Sequence, residues 1–278
     1  MPSPTAVSAP LTDWNNWNPR DYFDDYFGCG VNEDERAAIP FQIACLRRQA
    51  RPFARAIEFG CGPTLMRAIA AAPYVKSLDV ADRLPANLDR VRAWIDGEDT
   101  ADDWGAFTDY ILRCEGSVDP GRAAIDHRER QTRTVIGERL EADALDAHPL
   151  GRAREGAYDL LISSFCLDCF TDSRIVWRAA MRNVLRVVKP GGTFLMWALR
   201  GCTSYRVGER WFPAANLQRR DLYSTLIVCG ADPRQLQIEE RDVYGHAAQG
   251  YTGVLMAAGT LLPLDRSRSR FTSRSFAL

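Results

Sequence analysis

Ala56-Ile57-Glu58-Phe59-Gly60-Cys61-Gly62-Pro63-Thr64 is a short apolar run that carries a carboxylate and breaks into a turn built on two glycines. Twenty residues past Gly62 a second apolar run ends on Asp82, and a weaker one ends on Asp143. Glycine allows a ligand to approach the backbone where a Cβ would intrude. Carboxylates at strand ends accept hydroxyl and amino hydrogens. Gly-x-Gly followed by strand-end acids therefore describes the nucleotide-binding start of an open α/β sheet. Asp168, four residues beyond Ser164, is a third acid with chemical potential, and Tyr22 and Tyr26 stand one helical turn apart. Each has a plainer reading. Strand-end acids are often just solvated, tight turns want glycine anyway, and Asp168 could cap the helix that begins near Asp172. Spacing alone leaves cap and catalyst evenly matched for Asp168.

The elements that must carry these residues follow an alternating pattern. Pro19 opens a short helix whose Tyr22/Tyr26 and Phe23/Phe27 pairs share one side. A helix is predicted over 37–55, then a strand over 57–59, a helix over 65–72 and a strand over 77–81. Residues 86–95 have apolar positions at helical spacing. A third strand is predicted within 104–112, and 116–138 reads as a charged insertion, helical over 128–136. Residues 139–144 form a weak strand, and Tyr158 to Ser164 a buried one, near-continuously apolar as a parallel sheet requires. Thr171-Asp172-Ser173 caps a helix with a stripe through Val176, Ala180, Val184 and Val187. Lys189-Pro190-Gly191-Gly192 stops it before a strand over 193–198. A helix spans 217–229, and strands over 235–244 and 252–260 are joined too closely for a crossover, so they pair antiparallel. The expected organisation is a flexible leader (1–12), a helical lid segment (13–51), a nucleotide-binding domain (52–262, with an insertion at 116–141) and a disordered tail (263–278).

Composition narrows the field. The chain has 278 residues and a net charge of −1, which gives no global field for nucleic acid or an anionic membrane. No apolar run approaches the ~20 residues needed to span a bilayer. The start lacks the basic and apolar regions of a secretory signal, so the expected location is cytoplasmic. Eight cysteines and three histidines are scattered, with one unaccompanied Cys-x-x-Cys (Cys166, Cys169), so no metal is expected.

A dinucleotide fingerprint needs a third glycine, and that place holds Leu65. No Gly-x-x-x-x-Gly-Lys-[Ser/Thr] element supports a phosphate loop. Two glycines beside Glu58 suit a ligand that brings ammonium and sulfonium charge, namely S-adenosylmethionine (SAM), with S-adenosylhomocysteine as product. Asp82 is placed for the ribose hydroxyls and Asp143 for the adenine.

Specific motifs then carry a resemblance. They include Asn18-Pro19-Arg20-Asp21-Tyr22, Gly60-Cys61-Gly62-Pro63-Thr64, the Asn87 to Trp94 helix, Cys114-Glu115-Gly116 and His148-Pro149-Leu150-Gly151. Ser164-Phe165-Cys166-Leu167-Asp168, Lys189-Pro190-Gly191-Gly192 and Tyr205 with Gly208-Glu209 complete the set. In this order the chain resembles the nicotinamide/phenylethanolamine/thioether (indolethylamine) N-methyltransferase family from Trp14 to about Thr260. The resemblance implies a doubly wound, Rossmann-like class I methyltransferase sheet, mostly parallel with a terminal antiparallel pair, under an N-terminal helical lid. It implies that Tyr22, Tyr26, Gly60, Gly62, Thr64, Asp82, Asn87, Asp143, Ala144 and Ser164 surround SAM. Phe165 and Asp168 would face a small-molecule methyl acceptor. Asp168 is then the candidate proton acceptor at the acceptor nitrogen, with Tyr22 beside it, and Trp197 and Tyr205 join the aromatic wall. Two departures stand out: Met66 replaces a tyrosine of the family, and 197–204 lacks the acid that relatives use for the acceptor. His246 reads as a structural histidine.

The expected function is SAM-dependent transfer to the nitrogen of an amine or heteroaromatic, by a monomer or weak homo-oligomer. O- or S-methylation needs no different motif, and a non-catalytic SAM-binding protein is the alternative outside enzymes.

Overall fold

The computed structural model describes residues 14–263. The expected leader lies outside the described residues, as does the expected tail apart from its first residue.

Asn18 caps the first α-helix: its side chain accepts from the amides of Arg20 (2.8 Å) and Asp21 (3.3 Å), and Pro19 supplies the preset φ of a first helical residue. Helix α1 (Pro19–Tyr26) is followed by α2 (Glu33–Leu46), which Asn32 caps through the amide of Glu35. The helix predicted over 37–55 thus starts one turn earlier and ends earlier. Pro40 sits inside it without breaking it. A proline has no N–H for the carbonyl four residues back, and the Tyr110 hydroxyl donates to that carbonyl of Arg36 instead (3.1 Å).

Strand β1 (Ala56–Phe59) leads to α3 (Met66–Ala71), β2 (Leu78–Asp82) and α4 (Pro85–Asp96). Next come α5 (Gly105–Cys114), α6 (Arg122–Val135) and β3 (Ile136–Glu141). The third strand expected within 104–112 is therefore a helix. Its buried residues, Phe107, Thr108, Ile111 and Leu112, recur at three and four, a helical stripe that short-range apolar content had disguised. The charged insertion is the long helix α6, which runs directly into β3.

Then follow β4 (Tyr158–Ser164), α7 (Arg174–Leu185), β5 (Val188–Leu199), β6 (Ser204–Val207), β7 (Arg210–Pro213), α8 (Arg219–Val228), β8 (Gln237–Asp242) and β9 (Gly253–Thr260). Lys189-Pro190-Gly191-Gly192 lies within β5 as an irregularity, since Tyr158 pairs with Val188 but Leu160 pairs with Thr193. The small hairpin β6–β7 was not anticipated.

Seven strands form one sheet in the order β3-β2-β1-β4-β5-β9-β8. The first five are parallel, and β9 runs antiparallel to both β5 and β8, so the final pair is antiparallel as expected. All of β1 and β2 is buried, because helices cover both faces. On one side Trp177, Ala180 and Val184 of α7 pack with Phe59, Leu161 and Phe194. On the other, Trp17, Tyr26 and Phe27 from the N-terminal segment join Val91, Trp94, Trp104 and Phe107. The lid segment is therefore part of the core. The strand order reverses at β1/β4, and such switch points open a crevice at the carboxyl ends of the strands.

Trp104 is fully buried, with Phe107, Phe23 and Phe27 rings at 5.2, 5.4 and 5.9 Å. Trp104→Ala should cost about 3–5 kcal/mol, read as a lowered urea midpoint. A loss under about 1 kcal/mol would contradict this packing.

Candidate active site

The crevice is a cavity lined by the strand ends, the loop after β4 and the N-terminal segment. Gly60 and Cys61 donate to the carbonyl of Ala81 (2.7 and 3.0 Å), and Gly62 donates to Asp82 Oδ2 (2.8 Å), so the turn after β1 is pinned to the end of β2. Gly60 and Gly62 both have positive φ (73° and 59°), which glycine alone adopts without strain. They differ in what surrounds them. A Cβ at Gly60 would fall 2.0 Å from Cys166 Sγ, whereas nothing lies within 4 Å of one at Gly62. Gly60 is demanded by packing, and Gly62 is the position that leaves room for a ligand.

Asp82 Oδ1 accepts from the Leu84 amide and from Asn87 Nδ2, both at 2.9 Å. With the Gly62 contact that makes three donors for a carboxylate with about four acceptor sites. Burial raises its pKa above the ordinary carboxylate range, against the pull of these hydrogen bonds. Asp143 is more open. Its Oδ1 takes the Leu145 amide (2.8 Å), and Arg83 stands 3.5 Å from Oδ2. Ala144 lies beside it in the wall. The residual acceptor capacity at Asp82, the opening at Gly62 and the backbone around Ala142 to Ala144 match the hydroxyls and base of an adenosine. The donor set fits SAM.

At the other end the walls are aromatic. Tyr22 packs between Trp17 (4.8 Å), Tyr26 (5.0 Å) and Phe27 (5.4 Å). Loss of hydration there pushes its phenol well above the usual value, so Tyr22 is a neutral phenol and no base at neutral pH. The Tyr26 hydroxyl donates to the carbonyl of Arg206 (2.8 Å), which leaves the ring to face the cavity. Tyr205, Phe165 and Phe170 complete this end. Phe165 holds φ 49°, a conformation that costs a non-glycine residue about 1–3 kcal/mol.

The cavity thus brings together Tyr22, Tyr26, Gly60, Gly62, Thr64, Asp82, Asn87, Asp143, Ala144, Ser164, Phe165 and Tyr205. Two expected residues stand outside its lining. The Asp168 carboxylate is turned to the end of β5, where Oδ2 accepts from the Leu199 amide (2.7 Å) and from Cys169 Sγ (3.3 Å). Burial raises its pKa to about 6. It is not the helix cap either, since Ser173 caps α7. Trp197 shares a face of β5 with Leu199, which lines the cavity, but sits two residues deeper along the strand, packed on Phe41 with the Arg67 guanidinium 4.6 Å from its ring.

Other titratable groups of the cavity are Glu58, expected beside the glycine turn, and Arg67, Glu35 and Asp34, which the sequence reading passed over. Arg67 is almost wholly buried, with Nη2 on both oxygens of Glu35 (2.8 and 2.6 Å) and Nε on Ser164 Oγ (3.0 Å). Glu58 Oε2 has no hydrogen-bond partner among the described residues. Burial pushes Glu58 up to about 8; Arg67 opposes the shift, and Glu35 and Asp82 add to it. Asp34, Tyr251 and Met66 also line the space. The signal for the two α2 acids was Asn32-Glu33-Asp34-Glu35, a capped helix start that places acids in the first turn. No group of side chains able to hold a metal ion occurs among the described residues, nor does a helix long and apolar enough to cross a membrane.

A buried acid whose folded pKa lies above its unfolded value keeps its proton in the folded chain after the unfolded chain has released it. For Glu58 that interval runs from 4.5 to about 8, so its contribution to stability falls as pH rises through it. Glu58→Gln cannot ionise, and its urea midpoint should fall less between about pH 6 and about pH 8.5 than that of the parent. Parallel curves would show that Glu58 titrates like an exposed acid.

Comparison with known proteins agrees with this geometry. Residues 7–260 match the model of the NNMT/PNMT/TEMT family. Human nicotinamide N-methyltransferase is 27% identical over 222 residues, covering 77% of this chain and 82% of that one. Indolethylamine N-methyltransferase of Oryctolagus cuniculus is 26% identical over 223 residues, covering 78% and 83%. Among solved structures, the Burkholderia thailandensis 1,6-didemethyltoxoflavin-N1-methyltransferase shares the fold, with a TM-score of 0.51 at 12% identity and coverage of 92% and 93%. A glycine turn pinned to a buried strand-end acid and a match across nearly the whole sheet lead to one conclusion: the chain belongs to the NNMT/PNMT/TEMT family of SAM-dependent methyltransferases.

Proposed function

We propose that this enzyme transfers the methyl group of SAM to the nitrogen of a small-molecule amine or heteroaromatic held under the N-terminal aromatic segment. The observation that carries the reading is one continuous cavity that joins Asp82 and Asp143 at the strand ends to Tyr22, Tyr26 and Tyr205 at its closed end. Asp82 and Asn87 would hold the ribose, Asp143 and Ala144 the adenine, and Gly60 to Thr64 with Ser164 and Tyr22 the methionine portion. When bound, SAM supplies an electrophilic methyl on a sulfonium.

The protein's own work is placement. Methyl transfer from a sulfonium to a neutral nitrogen moves a positive charge without creating one, so positioning can supply about 7–11 kcal/mol of the barrier. Aromatic faces tolerate a cation that shifts between two atoms. Water is excluded by the packed Trp17, Tyr22, Tyr26 and Phe27 rings, which also limits competing transfer to solvent. Asp168, expected as the acid at the acceptor, instead supports this wall by fixing the loop after β4 to β5 through Leu199.

Asp82→Ala removes the acceptor that Gly62, Leu84 and Asn87 share, and should raise the SAM dissociation constant at least about tenfold by calorimetry, about 1.4 kcal/mol. Unchanged affinity would remove Asp82 from the cofactor site. Mass spectrometry of products from a panel of amines, phenols and thioethers tests the acceptor atom; transfer confined to oxygen or sulfur would falsify the nitrogen assignment.

A further inference from the structure

Asp34 sits in the first turn of α2, is 4% exposed, and lines the aromatic end of the cavity. Its Oδ2 accepts from the Tyr251 hydroxyl (2.6 Å). Its Oδ1 lies 3.0 Å from His246 Nε2, but out of hydrogen-bonding alignment, so that oxygen has no donor among the described residues. Both ring nitrogens of His246, 7% exposed, are likewise without hydrogen bonds there. The imidazole stands between Tyr26 (5.2 Å) and Tyr251 (5.4 Å, stacked). The loop that carries His246 is tied to the same helix start, because Glu33 Oε2 accepts from the amides of Tyr244 (2.5 Å) and Gly245 (2.7 Å). A buried carboxylate with an unmet acceptor is costly unless a donor completes it. Glu35 is already paired to Arg67, and Asp168, whose Oδ1 also has no donor among the described residues, lies outside the cavity lining. Among these acids, Asp34 is the one that both faces the aromatic end and keeps an acceptor free.

We propose that Asp34 is the specificity-determining acid of the acceptor pocket, receiving an N–H of a primary or secondary amine, with His246 and Tyr251 as positioning residues that fix its carboxylate. The assignment rests on the N-methyltransferase reading and narrows its acceptor class. The acid absent from 197–204 is supplied from α2 instead. A ring nitrogen without hydrogen, or a thioether, offers Asp34 no donor and leaves the carboxylate unsatisfied, a mismatch that sites built to hydrogen-bond a substrate reject strongly.

The test uses 2-phenylethylamine, pyridine and diethyl sulfide as probe acceptors with the full chain. Asp34→Asn is isosteric and can still accept from Tyr251. The expected result is methylation of 2-phenylethylamine in preference to the other two. In Asp34→Asn, KM for the amine should rise at least about tenfold while SAM affinity by calorimetry stays within about twofold. His246→Gln should raise the amine KM by a smaller factor, again without loss of SAM binding, which also shows that both variants fold. The proposal is overturned if pyridine or the sulfide is methylated as efficiently as the amine with Asp34→Asn indifferent; such transfer to pyridine would leave the broader nitrogen reading intact. It is also overturned if Asp34→Asn loses SAM affinity while the amine KM is unchanged, since Asp34 would then belong to the cofactor. Wild-type SAM binding, measured separately, reports on the cofactor reading alone.

Discussion

Arg67 carries a charge that water scarcely reaches, and it arranges much of its surroundings. Its guanidinium meets Glu35 from α2 and Ser164 from the end of β4, while its backbone carbonyl takes the Gln42 side chain (2.8 Å). One side chain therefore ties the N-terminal segment, the first helix of the nucleotide site and the central strand together. A fork-shaped cation against a carboxylate is directional, so α2 has one seating on the sheet. Such a pair adds little to net stability, but removing one partner typically costs about 3–5 kcal/mol, because the other charge stays buried. The position of Asp34, on the residue before Glu35, follows from this seating.

The acids around the cavity take different states because their neighbours differ. Glu35 has Arg67 to hold its charge, although burial still pushes it up to about 7. Glu58 has no hydrogen bond to Oε2, and keeps its proton. Asp82 keeps hydrogen-bond donors on both oxygens. Similar carboxyl groups thus become an ion-pair partner, a neutral wall and an acceptor of amide hydrogens through burial and neighbours alone.

The parallel sheet was legible because continuous apolar runs and glycine turns are local signals. Tyr158 to Ser164 reads as a buried strand at once, and Gly60-Cys61-Gly62, ambiguous alone, gained meaning from the order of the acids that follow it. What failed was whatever depended on partners distant in sequence. Pro40 looks like a helix breaker until Tyr110 is found against the carbonyl it leaves unpaired. Trp104 to Leu112 is short and apolar, which suits a strand or a helix equally until its buried face is known. Asp168 and Trp197 lie close to the site in sequence, but Asp168 is turned to the Leu199 amide and Trp197 lies deeper along β5 against the Arg67 guanidinium. Asp34 and His246 are 212 residues apart, and nothing in either neighbourhood announces the other.

The contact between the Tyr26 hydroxyl and the carbonyl of Arg206 has a companion at the adjacent residue, where the Gly208 amide donates to Asp25 Oδ2 (2.7 Å). Both join α1 to the β6–β7 hairpin, which itself pairs with no strand of the main sheet. The roof of the cavity is therefore fastened to a hairpin that is itself anchored in the core by Tyr205, Val207 and Phe212. To admit a ligand or release a product past α1, either these two bonds part or the hairpin moves with the helix. Motions of this kind set turnover in many enzymes, and here they would act where the hairpin meets the helix.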